Sequence, residues 1–335
     1  DRWFEPFLRL GASSLVTAFA VAEHETVAFL GMSDGQVLTI SQHGEVHSIE
    51  PPTGRWSVAS ISTTPSRHAV AILWNSPETS KWILRSSSNK PSGGVEPLSE
   101  LHLEKSPAVW ISRPFVMEHG LAIALIHEAH LEFRYFNSLR KLPGEHNLRI
   151  EQVPTATTAL ISGKPSLGSS NLVAIIEDRG SLSRFNSQTG SFERASSLGW
   201  APSPWRGGRI LASPLSVHTN AEPDSFDVAG MIEANHLAYS RIRRLGSEPR
   251  IDTVRFTTGG SLIRSCLVVK PNHVALISRR QVAWYKVLDS SAMLLGTREL
   301  SIDEPVAAYQ THVSAHLIVV NENGDLARVA PPDFS

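Results

Sequence analysis

The chain repeats a short β-hairpin pattern along almost its whole length. Each copy has an apolar run, a brief polar turn and a second run that begins with an apolar residue. The second runs begin at Val37, Trp82, Leu131, Leu182, Leu237, Val282 and Leu326. Successive positions of this set are 45, 49, 51, 55, 45 and 44 residues apart. Such a repeat constrains the fold more than any single motif, because it sets the number and the length of the structural units into which the chain divides.

The spacing predicts several short strands in each repeat. A period of about 40–50 residues is typical of propeller blades, which have four strands each. One small twisted sheet cannot bury both of its faces, whereas stacked sheets cover one another and a closed ring removes the exposed ends. In the fourth repeat the pattern predicts strands at 157–162, 171–177, 180–185 and 191–197. The second of these is nearly all apolar, as expected for a strand that is covered on both faces.

The sequence therefore predicts an all-β fold, a single seven-bladed β-propeller over residues 1–335 with four-stranded antiparallel blades. The expected blades are 11–50, 55–104, 106–153, 155–198, 206–257, 260–301, and 304–332 together with 3–10. Only nine residues follow Leu326, so WFEPFLRL (3–10) is predicted to complete the last blade by pairing near 325–329. Because the chain begins at Asp1 without Met, we expect either a part of a longer protein or a chain that lacks its leader.

Three turns carry a resemblance to a known family. They are Asp34-Gly35-Gln36-Val37, Asp178-Arg179-Gly180-Ser181-Leu182 with Thr189-Gly190 following, and Asn323-Gly324-Asp325-Leu326. Together with the repeat they make the chain similar to a degenerate WD-repeat-type seven-bladed propeller. The resemblance implies a scaffold that binds proteins, which is the commonest use of such rings. No Trp-Asp and no Gly-His pair occurs, so rings of the pyrroloquinoline-quinone and kelch types stay open as relatives.

Composition limits the compartment and the chemistry. A single cysteine, Cys266, excludes an intrachain disulfide. A large β-protein without disulfides fits a reducing compartment, so we expect an intracellular location in the cytoplasm or nucleus. Cys266 lies in an apolar stretch and is interpreted as a small buried hydrophobic residue. No run approaches the roughly 18 apolar residues of a membrane helix, so no membrane span is expected.

The segment IHEAHLEF (126–133) is the closest approach to a metal motif. A zinc protease needs His residues at i and i+4 on a helix, with Glu between them. Here His127 and His130 are three positions apart, and with Glu128 they lie in a predicted hairpin turn. No phosphate-loop, dinucleotide or nucleophile-elbow motif occurs either. We therefore predict no catalytic residue, no metal and no cofactor.

The formal net charge of −1 hides an asymmetry along the chain. Residues 1–54 carry a net charge of −5, and residues 235–288 carry +8. The predicted partner-binding residues of this basic sector are Arg241, Arg243, Arg244, Arg250, Arg255, Arg279 and Arg280. They indicate an acidic partner, which is a protein surface, nucleic-acid phosphates or lipid head groups. The alternative is a solvated rim whose charges point in several directions.

The sequence thus predicts a non-catalytic scaffold, a propeller subunit of a larger intracellular assembly whose partners are other protein subunits. A first alternative is a propeller that binds nucleic acid or phosphate through residues 241–286. A second is an enzyme with its site at the central channel. Two polar segments, 87–97 and 214–225, are predicted to project as loops that supply contacts. Trp200 and Trp205, in a Pro-rich linker, are predicted to cap the core, and an exposed anchor is the alternative.

Overall fold

The structure is a computed structural model. It describes residues 7–22, 27–41, 43–63, 69–76, 81–89, 95–103, 108–111, 115–117, 120–127, 131–136, 146–150, 157–162, 172–203, 215–233, 235–259, 262–310 and 315–334. Within these ranges every regular element is a β-strand, and the strands form antiparallel four-stranded sheets with one extra short strand. The chain divides into two compact units.

The first unit comprises Asp1–Glu151, Thr311–Ser314 and Val320–Arg328. Its first sheet contains β2 (Val16–Ala22), β3 (Val27–Met32), β4 (Val37–Ser41) and β5 (Val46–Ile49), in that order. The second contains β6 (Ser57–Thr63), β7 (Ala69–Ser76), β8 (Lys81–Asn89) and β9 (Val95–Leu103). The third contains β10 (Ala108–Ile111), β12 (Gly120–His127), β13 (Leu131–Phe136) and β14 (His146–Ile150), and β11 (Phe115–Met117) also pairs with β12.

The second unit comprises Gln152–Gln310, Ala315–Val319 and Val329–Ser335. The fourth sheet contains β15 (Thr157–Ser162), β16 (Val173–Glu177), β17 (Ser181–Asn186) and β18 (Ser191–Ser197). The fifth contains β19 (Leu215–Thr219), β20 (Phe226–Glu233), β21 (His236–Arg243) and β22 (Arg250–Thr257). The sixth contains β23 (Ile263–Lys270), β24 (His273–Ser278), β25 (Gln281–Val287) and β26 (Ala292–Glu299).

The seventh sheet is ordered β1-β29-β28-β27, with β1 at Phe7–Leu8, β27 at Pro305–Gln310, β28 at Leu317–Asn321 and β29 at Leu326–Val329. Phe7 lies opposite Ala327 and Leu8 lies opposite Leu326, so the N-terminal strand pairs where the sequence predicts. Residues 3–6, with Pro6, lie outside the described residues. The closure of a ring by this pairing stays a prediction.

Burial follows strand position within a sheet. The second strands β3 and β16 are buried at every residue, because sheets cover them on both faces. The outer strand β26 is exposed at most positions. The fourth sheet agrees with the predicted strands to within two residues at each end. Hydrophobic residues therefore fill the space between neighbouring sheets, as in the cluster that joins Leu182 on β17 to Ile242 on β21.

Each of the two predicted projecting segments contains strand residues, which corrects the sequence interpretation in part. Residues 87–89 belong to β8 and residues 95–97 to β9, so the first segment continues a long hairpin whose tip lies outside the described residues. Residues 215–219 form β19, whereas residues 220–225 form the loop that connects it to β20. Pro97 is compatible with a strand because β9 lies at the edge of its sheet.

Candidate partner-binding surface of the basic sector

The basic sector lies on the fifth and sixth sheets of the second unit. Strand β21 carries Arg241 and Arg243, and the adjoining strand β22 carries Arg250 and Arg255. Arg279 and Arg280 occupy the turn between β24 and β25. The seven predicted arginines therefore share one region of the fold, yet their side chains have very different surroundings.

Arg241 joins the two sheets. Its Nε donates to Asn272 Oδ1 at 2.6 Å, and its Nη2 donates to the carbonyl oxygens of Val287 at 3.2 Å and Leu288 at 3.1 Å. The guanidinium carbon also lies 5.7 Å from the ring centre of Tyr239. This half-buried arginine is held in one geometry by hydrogen bonds that a lysine could not reproduce.

Arg243 neutralises a buried carboxylate. Its Nη1 lies 3.0 Å from Asp227 Oδ1, and the Asp227 side chain is 0% exposed. Burial, together with the nearby Asp227 carboxylate, raises the pKa of Tyr239 well above its ordinary value. The neutral phenol oxygen accepts a 2.7 Å hydrogen bond from the Asn272 backbone. Arg243 is thus a structural residue, because an unpaired charge at Asp227 is costly to bury.

Arg279 and Arg280 pair with the turn that precedes β27. Arg279 contacts the Glu304 carboxylate, and the Nε of Arg280 lies 2.6 Å from Asp303 Oδ1. Arg264, which is only 12% exposed at its side chain, contacts the other oxygen of Glu304. Two acidic residues therefore offset three basic ones in this part of the sector.

Arg255, Arg244 and Arg250 complete the predicted set. Arg255 donates from Nη2 to the Gly199 carbonyl oxygen at 2.8 Å. Arg244 and Arg250 are exposed, and neither side chain contacts a charged or polar group among the described residues. Arg250 lies directly opposite Arg243 across the β21–β22 pair. Five of the seven arginines are therefore bound to protein groups within the second unit, and two are free.

An open cleft of about 600 Å³ lies beside Arg241 between the fifth and sixth sheets. Its lining residues are Arg241, Asp252, Asn272, Lys286, Val287, Leu288 and Asp289. Asn272 has a positive φ of 61° in the β23–β24 turn, and its carbonyl oxygen accepts a 2.7 Å hydrogen bond from the Val287 backbone. Sequence reasoning missed Asn272, Leu288 and Asp289. Asparagine is one of the few residues that adopt positive φ readily, so Pro271-Asn272 was the signal available for the turn.

The other candidate residues have simpler surroundings. Cys266 is buried, and burial raises the pKa of its thiol to about 12, as its interpretation as a hydrophobic residue predicts. His127 ends strand β12, while Glu128 and His130 lie outside the described residues. Among the residues with described positions, no group of three or more His, Cys, Asp or Glu is placed to hold a metal ion. Trp200 is buried in the core, as predicted, and Trp205 lies outside the described residues.

Comparison with solved structures decides the fold. The crystal structure of the β-propeller domain of Cps50 (Swd1) from Myceliophteria thermophila matches with a TM-score of 0.63, covering 97% of this chain and 100% of that chain at 13% identity. The chain has a WD-repeat-like β-propeller fold. A chain of the Mitotic Checkpoint Complex matches this propeller with a TM-score of 0.66, covering 99% of this chain and 96% of that chain at 9% identity. No protein-family model matches the propeller, and no curated protein matches it.

The sheets of this propeller are its blades, so the basic sector belongs to the fifth and sixth blades. Its free guanidinium groups are concentrated at the β21–β22 turn, and its cleft lies between the blades. No helix among the described parts of the propeller is long and apolar enough to cross a membrane.

Proposed function

We propose that this propeller is a non-catalytic scaffold, a subunit that holds other proteins together in a larger intracellular assembly. We further propose that residues 1–335 form one seven-bladed ring and that the protein acts in the cytoplasm or nucleus. The Mitotic Checkpoint Complex, by its name, is an assembly that contains a chain of similar fold. Fold similarity alone does not fix function, so the surface of the protein must carry the proposal.

The observation that carries the proposal is a set of exposed apolar side chains at the outer hairpin of the sixth blade. Leu288, Met293 and Leu294 are exposed by 41%, 48% and 52%, and all three lie in or beside the β25–β26 hairpin. Large apolar side chains that are exposed on an outer hairpin offer apolar area that a protein partner can bury. The hairpin is hydrogen-bonded within a four-stranded sheet, which limits the backbone entropy lost when a partner binds.

The nucleic-acid alternative has less support. A nucleic-acid backbone requires a series of free cations, and most of the predicted arginines are bound to protein groups. Tyr239 and Trp284 are fully buried, so neither ring is available to stack on a base. Of the seven predicted arginines, Arg244 and Arg250 are the two whose side chains contact no charged or polar group among the described residues.

The scaffold function is tested by isolating the full-length protein from its native cells under mild conditions. We expect it to elute in size-exclusion chromatography with a fixed set of proteins in constant proportion, and to do so after nuclease treatment. Mass spectrometry with chemical cross-linking would identify the contacts. Elution as a lone monomer would contradict the proposal, and loss of the assembly on nuclease treatment would favour nucleic acid as the partner.

A further inference from the structure

We propose that the sixth blade binds a phosphorylated serine or threonine side chain of a protein partner, through the ammonium groups of Lys270 and Lys286. The site lies beside the β23–β24 turn, on the face of the blade that is turned away from the fifth blade. The inference rests on the scaffold function proposed above and specifies the place and the chemistry of one contact.

Three basic residues lie side by side on neighbouring strands of the sixth blade. Lys270 on β23 lies opposite His273 on β24, and His273 lies opposite Lys286 on β25. Cross-strand partners share a face of the sheet, and their Cβ atoms are about 4.5–5.5 Å apart. The three side chains therefore form one row across the blade, called here the basic row.

The alternation of side chains along β25 decides which face carries the basic row. Val287 belongs to the hydrophobic cluster that joins the fifth and sixth blades, and Tyr285 packs against that cluster. Successive side chains of a strand point to opposite faces, so Lys286, between these two residues, points away from the fifth blade. The basic row is thus distinct from the contacts of Arg241, which join the two blades.

Residues 331–334 form a wall beside the basic row. Pro332 packs on Gly296, where an added Cβ would lie 3.3 Å from the Pro332 Cβ atom. The Phe334 ring reaches the row itself. Its centre lies 4.1 Å from Lys270 Nζ and 5.3 Å from the centre of the His273 ring, which it meets edge-on. The cation–π contact orders the Lys270 ammonium before a ligand binds.

The basic row has no acidic partner among the described residues. Neither the Lys270 nor the Lys286 ammonium forms an ion pair or a hydrogen bond there. Asp333, which precedes Phe334, is exposed and forms no ion pair with a described residue either. The repulsion within the row is therefore not offset by a carboxylate, and an anion bound between the two ammonium groups would relieve it.

The pKa directions agree with this arrangement. Burial lowers the pKa of the Lys270 ammonium, and the charge of Lys286 lowers it further. Burial also lowers the pKa of the His273 imidazole, and Lys270 and Lys286 act in the same direction, while the contact with the Pro271 carbonyl oxygen raises it. The two lysines thus lie close enough to His273 and to each other for their charges to interact.

Charge matching favours a phosphate over a carboxylate. The two ammonium groups carry two positive charges, and a phosphate monoester carries about −1.5 to −2 at pH 7. A carboxylate carries a single negative charge and would leave one ammonium unpaired. The phosphate also presents three strong acceptor oxygens, so each lysine can donate a charge-assisted hydrogen bond to a different one.

The surroundings of the row favour a phosphate on a protein over one on a nucleic acid. Met293 lies opposite Lys286 at the outer end of the row and is 48% exposed. An apolar side chain next to the phosphorylated residue would cover it. A nucleic-acid strand instead needs several cations in series, whereas the row ends at this methionine. The Phe334 ring is already in contact with Lys270 and His273, so it is poorly placed to stack on a base.

The test uses a degenerate library of dodecapeptides with a central phosphoserine and the same library with a central serine. Both are bound to the full-length protein, and mass spectrometry identifies the retained peptides. We expect retention of the phosphorylated library. In fluorescence anisotropy a retained phosphopeptide should bind about tenfold or more tightly than its serine counterpart, because the charge-assisted contacts depend on the phosphate.

The affinity for this phosphopeptide is expected to fall by about fivefold or more in Lys270→Gln and in Lys286→Gln, since each variant removes one of the two charged donors. Arg244→Gln, which removes an exposed positive charge from the fifth blade, is the matched control. It should leave the affinity within about twofold, because salt screens distant surface charges. Lys286 is exposed, so Lys286→Gln tests the site even if Lys270→Gln impairs folding.

Equal retention of the two libraries, or equal affinity for the wild type and Lys286→Gln, would overturn the proposal. Binding of a fluorescein-labelled oligouridylate that both lysine variants abolish, without phosphopeptide binding, would overturn it in favour of nucleic acid. A native assembly recovered intact although no phosphopeptide binds would retain the scaffold function and exclude the phosphate site. Phosphopeptide binding by a protein that elutes from cells as a lone monomer would retain the site and exclude the scaffold function.

Discussion

The indole Nε1 of Trp200 donates a 2.8 Å hydrogen bond to the hydroxyl oxygen of Ser240 inside the protein. Trp200 follows the fourth blade in the chain, and Ser240 lies on β21 of the fifth. The Ser240 oxygen also lies 2.7 Å from Thr253 Oγ1. One buried hydroxyl thus ties the linker after the fourth blade to two strands of the next blade.

Ser240→Ala is expected to lower the free energy of unfolding by about 1–3 kcal/mol, because it leaves the buried Trp200 N–H without an acceptor. Trp200→Phe removes the donor as well as apolar area. The double variant should cost less than the sum of the two single variants, because both remove the same bond. Urea unfolding followed by circular dichroism measures these values, and Ser290→Ala, at an exposed position, is the control. Strict additivity would contradict the coupling.

Gly180 is expected to tolerate no side chain. Its φ is +76°, and an added Cβ would collide with the Trp200 carbonyl oxygen. Gly190 has a similar φ of +66° but open space around it. Gly190→Ala therefore reports the backbone strain alone, and Gly180→Ala reports the strain plus the collision. We expect Gly180→Ala to be the more destabilising by at least about 1 kcal/mol in chemical unfolding. Equal losses would mean that the collision is relieved without cost.

Arg243 and Arg244 are neighbours in sequence, but their substitution is expected to change stability by very different amounts. Arg243→Met leaves the fully buried Asp227 carboxylate without its partner, so a loss of about 2–4 kcal/mol in unfolding free energy is expected. This range is below that of a fully buried pair because Arg243 itself is partly exposed to water. Arg244→Met removes an exposed side chain and should change stability by less than about 0.5 kcal/mol. Similar losses in the two variants would show that Asp227 does not depend on Arg243.

His273 is expected to make the second unit less stable in acid. Burial lowers the pKa of its imidazole, and nearby Lys270 and Lys286 act in the same direction, against the Pro271 carbonyl contact that raises it. The Phe334 ring covers the imidazole edge-on at 5.3 Å. In the unfolded chain the ordinary pKa of 6.5 applies, so below that pH the unfolded state binds the proton more readily. Stability therefore rises with pH through this range and is lost as pH falls towards the lower, folded pKa.

The measurement is urea unfolding between about pH 5 and pH 8 for the wild type and His273→Asn. We expect the wild type to lose more stability towards pH 5 than the variant, since the variant lacks the titrating group. His47→Asn, which replaces an exposed histidine on β5, is the matched control and should follow the wild-type slope. Parallel curves for the wild type and His273→Asn would exclude the effect.

The repeat was readable in the sequence because it is local. The hairpin positions Val37, Leu131, Leu182, Val282 and Leu326 are all fully buried, and the strands of the fourth blade begin and end close to the predicted residues. The apolar pattern of a strand, alternating or continuous, is complete within a few consecutive residues. It can therefore be interpreted without knowledge of distant contacts. The glycine at 180 was visible for the same reason, as a turn between two apolar runs.

The chemistry of the basic sector depended on the tertiary structure. Residues 235–288 carry a net charge of +8. Three arginines of this range pair with carboxylates outside it: Arg243 with Asp227, Arg279 with Glu304 and Arg280 with Asp303. Nothing in RIRR (241–244) distinguishes an arginine that holds a buried aspartate from one that is free. Ion pairs and clefts form between segments that are distant in the chain, so the sequence determined the blades, and only the folded arrangement decided which charges face a partner.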